Sequence, residues 1–160
     1  MREELYGIGV DSTNRLTKAF ALLFGLLPED GMRLIADAWE SSDLVWQQMT
    51  RTNWRTLKTY KVAAAGKAKP WMWPSDRAGW KKQRRHIIYR GGATVKGSWT
   101  LSQEVALTFA RGRRGSPKAK LFTGEILTEN ILLYLTGRQE QEIVPSRFNA
   151  ILLLKELEFV

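Results

Sequence analysis

The N-terminal part of the chain carries apolar residues at the spacing of α-helices. A first helix is predicted to begin after Ser12 and to end before Pro28. A second helix is predicted to begin at Pro28. Two acidic residues in its first turn would interact favourably with the positive end of the helix dipole. A third is predicted from Asp43 towards Ala65. The apolar positions of the first two helices are Leu16, Ala19, Phe20, Leu23, Phe24 and Leu27, then Met32, Ile35, Ala36 and Trp39.

After Arg85 the spacing changes to the short alternating segments that are typical of β-strands. One helix interrupts them at 102–110, with Val105, Ala106, Phe109 and Ala110 on one face. The predicted strands are 86–89, 98–100, 120–126, 131–135, 142–144 and 150–160. Several short strands with a single helix among them indicate an α+β domain with a curved, largely antiparallel sheet.

These patterns divide the chain into three regions. Residues 1–65 are predicted to form a helical module, 66–85 a basic linker rich in Trp and Pro, and 86–160 the sheet domain. Trp71, Trp73 and Trp80 are interleaved with basic residues in this linker. Such tryptophans either stack on nucleic-acid bases or cover the edge of a neighbouring sheet, and the sequence leaves both uses open.

Charge is distributed unevenly along the chain. Residues 51–120 contain eighteen basic and two acidic residues, whereas the regions before and after them are net acidic. A positive region of this kind attracts polyanions, so nucleic acid, an anionic cofactor or an acidic protein is a candidate partner for 51–120. Basic surfaces are also often only solvated, so the charge does not decide between these partners.

Composition excludes several kinds of functional site. The 160 residues include no cysteine and one histidine, His86. Disulfides, thiolate metal sites and cysteine nucleophiles are therefore excluded, and no metal site is expected. The apolar run 19–27 is shorter than the roughly 20 residues that cross a bilayer. With no targeting signal in the N-terminal pattern, we expect no membrane partner and a cytoplasmic location.

Three short motifs follow one another in the predicted sheet domain. Residues 89–91 (Tyr-Arg-Gly) end the first strand, 98–100 (Ser-Trp-Thr) make the second, and 140–142 (Glu-Gln-Glu) enter a later strand. Each motif is common by itself. Their order, and the elements on which they fall, make the combination informative.

In this order the motifs resemble those of the mono-ADP-ribosyltransferases of the Arg–Ser–Glu class, which include cholera-toxin-like toxins, clostridial toxins and phage enzymes. Arg90 matches the arginine that ends the family's first core strand, and Ser98 the first residue of its Ser-Thr-Ser-like stretch. Glu140 and Glu142 match its Glu/Gln-X-Glu motif. The resemblance covers 86–160, includes the helix at 102–110, and implies an ADP-ribosyltransferase-like sheet core.

The resemblance implies an enzyme that uses NAD as co-substrate and transfers ADP-ribose to a protein side chain. Glu142 is expected to stabilise the positive charge that develops on the ribose, with Ser98 orienting Glu142 or the ribose. Glu140 is expected to accept a proton from the incoming nucleophile, and a glutamate at this position favours arginine acceptors. The residues expected to bind NAD are Arg90, Gly91, Ser98, Trp99 and Thr100. Further cations available for its phosphates are Arg84, Arg85, Arg111, Arg113 and Arg114.

Two other interpretations fit the same residues. A nucleic-acid-binding protein would account for the charge of 51–120. A non-catalytic relative of the family would keep the fold without the chemistry of Glu142. Under the enzyme interpretation, the chain is expected to be a phage or bacterial effector whose acceptor is a protein of the bacterial cytoplasm, including one associated with nucleic acid.

Overall fold

The computed structural model describes residues 11–42, 45–63, 83–111, 119–136 and 140–158. The chain divides into two compact units, Met1–Met72 and Trp73–Val160. Most of the predicted linker 66–85, with its three tryptophans, lies outside the described residues. Among the helices that are described, none combines the length and the apolar character needed to cross a lipid bilayer.

Four helices are described in the N-terminal unit: α1 (Arg15–Ala21), α2 (Pro28–Glu40), α3 (Val45–Gln48) and α4 (Arg51–Ala63). Helix α2 begins at the predicted proline and buries the four predicted apolar residues. Helix α1 ends earlier than predicted, so Phe24 and Leu27 follow it with 98% and 66% of their surface exposed. Those two residues were wrongly assigned to its apolar face.

The continuous third helix predicted towards Ala65 is also wrong, because two helices occupy this part of the chain. Its predicted cap, Asp43, lies outside the described residues. Helix α4 starts anew after Thr50, whose hydroxyl accepts a hydrogen bond from the Asn53 amide at 3.1 Å. A threonine that satisfies this first-turn amide is a typical helix N-cap, so its local chemistry separates α4 from α3.

Aromatic residues build much of the core of the helical unit. Trp39 on α2 is 2% exposed, and its ring centroid lies 5.3 Å from that of Trp46 and 6.3 Å from that of Trp54. On α4, the Tyr60 hydroxyl donates to the Leu23 carbonyl at 2.8 Å. These contacts fix one side of α4 against the rest of the unit.

The second unit is a six-stranded antiparallel sheet with one helix described beside it. Its elements are β1 (Arg85–Gly92), β2 (Trp99–Thr100), α5 (Gln103–Ala110), β3 (Lys120–Leu127), β4 (Ile131–Leu135), β5 (Glu142–Pro145) and β6 (Ile151–Glu158). The strand order is β4-β5-β2-β1-β3-β6, and the sheet is open. The predicted class is therefore confirmed: N-terminal helices precede an antiparallel sheet in an α+β chain.

Two groups of buried side chains stabilise the sheet unit. Helix α5 packs Ala106 and Ala110 against Leu121 of β3, with Tyr89 of β1 partly buried beside them. Phe109, predicted on the same face of this helix, is instead 44% exposed. The larger apolar cluster consists of Ile88, Trp99, Phe122, Ile126, Ile131, Tyr134 and Ile143.

The strand order determines which motifs become neighbours. Strand β2 pairs with β1 on one side and with β5 on the other, although β5 follows much later in the sequence. The strands that carry the three sequence motifs are thus adjacent at the middle of the sheet. At one edge, β6 leaves Leu152, Leu153, Leu154 and Leu157 substantially exposed.

Candidate active site

The three motifs meet where β1, β2 and β5 lie side by side. Thr100 pairs with Tyr89 of β1 and with Glu142 of β5, which forms one row of residues across the three strands. Arg90 follows this row on β1, and Ser98 directly precedes β2. Three chemically different groups, a guanidinium, a hydroxyl and a carboxylate, therefore gather in one region of the sheet.

Ser98 and Glu142 are joined directly. The Ser98 hydroxyl donates a hydrogen bond to Glu142 Oε1, and both residues are half-buried. Glu142 is the first residue of β5, so its backbone is fixed by pairing with Thr100 while its carboxylate lies beside the start of β2. A hydrogen bond to a carboxylate from a fixed donor restricts the orientation of that carboxylate.

Arg90 is tied to the segment that connects β1 to β2. Its Nε donates to the Thr94 carbonyl at 2.8 Å, and its Nη1 donates to the Ser98 carbonyl at 2.6 Å. Gly97 has a φ of 135°, and a Cβ there would lie 2.4 Å from Arg90 Nη1. Only glycine combines this backbone conformation with the approach of the guanidinium.

The charge of Arg90 is held in a half-buried position. Burial lowers the pKa of Arg90 to about 10, and the nearby negative charge of Glu142 opposes that shift. Because this pKa remains well above 7, the guanidinium is cationic at neutral pH. The site thus contains a fixed positive charge and a carboxylate close enough to influence it.

Glu140 is placed by a turn instead of by a strand. Strand β5 begins at Glu142, and Gln141 has a φ of 47°, in the left-handed region. Of the motif 140–142, only Glu142 therefore lies in the strand that the motif was predicted to enter. The Thr100 hydroxyl donates to the Glu140 carbonyl at 2.5 Å and accepts from the Ser102 amide at 3.0 Å, which fastens this turn to the start of α5.

The remaining residues predicted to bind NAD are packed within the sheet unit, beside Arg90, Ser98 and Glu142. Trp99 is 1% exposed and lies in the apolar core, where its indole Nε1 donates to the Val95 carbonyl at 3.2 Å. Thr100 is also buried, and its hydroxyl is used by the backbone groups of Ser102 and Glu140. Gly91 lies against α5, where a Cβ would come within 2.0 Å of the Ala106 carbonyl oxygen.

His86 and Arg85, two other titratable residues of β1, contact residues outside the three motifs. His86 is 2% exposed, its Nε2 lies 2.8 Å from the Thr128 hydroxyl, and burial lowers its pKa. Arg85 forms an ion pair with Glu125 at 2.7 Å. Arg113 and Arg114 fall outside the described residues. Within the residues that are described, no cluster of three His, Asp or Glu side chains is arranged to hold a metal ion.

Sequence reasoning missed three residues that shape the site. Thr94 contributes only its carbonyl, which any residue type would provide. Gly97, directly before Ser98, was a usable signal, since glycine often marks a special backbone conformation or a close approach. Gln141 gave no signal, because glutamine is not a residue type that favours a positive φ.

The arrangement combines an anchored cation with a carboxylate oriented by a hydroxyl. A cation of this type can attract a phosphate-bearing ligand, and a carboxylate can stabilise positive charge that develops on a sugar. Compared with protein-family models, curated proteins and solved structures, the chain matches none of them. The chemistry of these residues and the order of the motifs are therefore the features that indicate a function.

Proposed function

We propose that the chain is an NAD-dependent mono-ADP-ribosyltransferase that modifies a protein side chain, with arginine as the favoured acceptor. The observation that carries the proposal is the hydrogen bond from Ser98 to Glu142, formed beside the anchored guanidinium of Arg90. Three motifs that resemble those of a known enzyme class are thus joined in space. Their separation in sequence does not by itself require this contact.

Binding of NAD needs a positive charge for its pyrophosphate and an approach that bulky side chains do not obstruct. Arg90 supplies the charge, and two of its nitrogens are already fixed on backbone carbonyls. An arginine immobilised in this way loses little further entropy when it contacts a phosphate. Gly92 lies two residues after Arg90, and it has no Cβ, which would lie 3.2 Å from Arg90 Nη2.

Glu142 acts on the ribose. The bond between the nicotinamide nitrogen and ribose C1′ breaks with its electron pair leaving on nicotinamide, so positive charge develops on the sugar. A carboxylate oriented in advance stabilises this charge, and it can accept a hydrogen bond from the 2′-hydroxyl. Ser98 contributes by holding one oxygen of Glu142, which removes reorientation from the chemical step.

Glu140 serves the acceptor. The incoming nitrogen of an arginine side chain forms a bond to C1′ and gives up one proton, which the Glu140 carboxylate accepts. The turn at Gln141 sets Glu140 apart from the paired part of β5. We propose that this acceptor is a cytoplasmic protein, in a bacterial host if the chain is a phage effector.

The proposal is tested by nicotinamide release from NAD by the purified chain. Replacing Glu142 by Gln keeps the size of the side chain but removes its charge, so we expect the rate to fall by about 10²- to 10³-fold, as when one preorganised electrostatic group is lost. Glu104→Gln is the matched control, because Glu104 is exposed on α5.

The control is expected to release nicotinamide at the wild-type rate, and both variants are expected to keep the wild-type circular dichroism spectrum. Equal rates for Glu142→Gln and wild type would contradict the role of the carboxylate. A wild-type chain that releases no nicotinamide, with or without a cell lysate as the source of acceptor, would contradict the proposed activity itself.

A further inference from the structure

Helix α4 presents one face composed of basic and hydroxyl side chains. Its exposed residues are Arg51, Thr52, Arg55, Lys58 and Thr59. At about 100° per residue, these five positions fall within an arc of roughly 120° on one side of the helix. We call them the basic arc.

The opposite side of α4 is anchored within the helical unit. Leu57 is 1% exposed, the Asn53 side-chain amide donates to the Gln48 carbonyl at 3.0 Å, and the Tyr60 hydroxyl donates to the Leu23 carbonyl. These contacts fix the rotation of α4 about its own axis. The basic arc is therefore a defined surface.

The charge of α4 is unusual for a surface helix. Its thirteen residues, Arg51–Ala63, contain four basic residues and no acidic one. Surface helices commonly gain stability from opposite charges three or four positions apart, and like charges at this spacing repel. Arg51 also lies in the first turn, where the positive end of the helix dipole disfavours a cation. The pattern does not favour helix stability, and it is the pattern that binding of a polyanion requires.

The composition of the basic arc distinguishes between polyanions. Arginine, lysine and threonine are among the side chains that contact phosphates along a nucleic-acid backbone. A helix that lies in a membrane surface needs large apolar side chains beside its cations. None of the five residues of the basic arc has such a side chain.

We propose that the basic arc of α4 binds the phosphate backbone of nucleic acid. Arg51, Arg55 and Lys58 contact phosphates, and the contact does not read sequence. Successive cations are separated by about 4.5–6 Å along the helix axis, so one stretch of backbone can engage all three. The basic arc shares no residue with the proposed transferase site.

The test measures fluorescence anisotropy of labelled mixed-sequence duplex DNA and single-stranded RNA as a function of salt. We compare wild type with Arg51→Glu/Arg55→Glu/Lys58→Glu and with Lys18→Glu/Arg33→Glu/Lys155→Glu. The second variant changes net charge equally at exposed positions on α1, α2 and β6. The corresponding Gln variant, Arg51→Gln/Arg55→Gln/Lys58→Gln, replaces the first variant if Glu disrupts α4.

Wild type is expected to bind at low salt, with Kd raised at least tenfold by the variant of the basic arc and less than threefold by the control variant. Loss of three phosphate contacts is expected to reduce the slope of log K against log salt by about 2–3. Glu142→Gln is expected to bind as wild type does, so the outcome is independent of the transferase. The proposal is overturned if no binding occurs at low salt, if both triple variants weaken binding equally, or if only vesicles containing anionic lipid are bound.

Discussion

Arg90 combines a backbone-binding role with a charge, and only arginine has the geometry for both. Two nitrogens of one planar group reach the carbonyls of Thr94 and Ser98. The ammonium of a lysine cannot reproduce this fork. Arg90→Lys is therefore expected to lower the free energy of unfolding by about 1–3 kcal/mol and to reduce nicotinamide release as well. Urea denaturation measures the first effect.

Arg85→Lys is the control for this variant, because Arg85 is two-thirds exposed and pairs with Glu125 at the surface. Exposed ion pairs contribute about 0–1 kcal/mol, so a small change is expected. If Arg90→Lys unfolded at the same urea concentration as Arg85→Lys, the two hydrogen bonds from Arg90 to backbone carbonyls would contribute little to stability.

At the scale of single residues, the sequence indicated which side chains to consider but not the hydrogen bonds that they form. Arg90, Ser98 and Glu142 were selected by motif order. The turn at Gln141 was not predictable, because glutamine does not favour a positive φ and because the hydrogen bond from Thr100 to the Glu140 carbonyl joins residues 40 positions apart. Contacts of this kind arise from strand pairing and leave no local signature.

Among the elements, β1 and α5 make an unusually close contact at Gly91. A Cβ at this position would lie 2.0 Å from the Ala106 carbonyl oxygen and 2.4 Å from the Ala110 amide nitrogen. Both are backbone atoms, so the helix itself would have to move. Gly91→Ala is expected to lower the free energy of unfolding by about 3 kcal/mol or more, as measured by urea denaturation.

The matched control is Gly124→Ala on β3, where the first atom that a Cβ would meet is a methyl carbon of the Ile151 side chain at 2.7 Å. Because a side chain can adjust more easily than a helix backbone, this variant is expected to lose less stability. A Gly124→Ala variant less stable than Gly91→Ala would show that the approach of α5 to β1 does not determine the effect.

The sequence predicted helices and strands correctly where the apolar periodicity was strong. It missed helix ends that fall inside a continuing apolar pattern. Helix α2 and strands β3 and β4 followed their apolar patterns closely. The boundary between α3 and α4 was missed because apolar spacing continued across it while Thr50 capped a new helix. Apolar spacing also continued past the end of α1, so Phe24 fitted the pattern of that helix although the helix ends at Ala21.

On the scale of the whole molecule, the decisive feature is the strand order. Ser98 and Glu142 are 44 positions apart in sequence, yet they are joined because β2 pairs with β5. An antiparallel class was predictable from the short alternating strands, but periodicity carries no information about which strands become neighbours. Motif order thus singled out Ser98 and Glu142, whereas the strand pairing that joins them was not predictable from the sequence pattern.

The most direct test of the central claim is intact-mass analysis of cytoplasmic bacterial proteins after incubation with the chain and NAD. We expect an acceptor protein to gain the mass of one ADP-ribose, and we expect this gain to disappear with Glu142→Gln and to persist with Glu104→Gln. No gain with the wild-type chain, or an equal gain with Glu142→Gln, would contradict the claim that Ser98 and Glu142 form a transferase site beside Arg90.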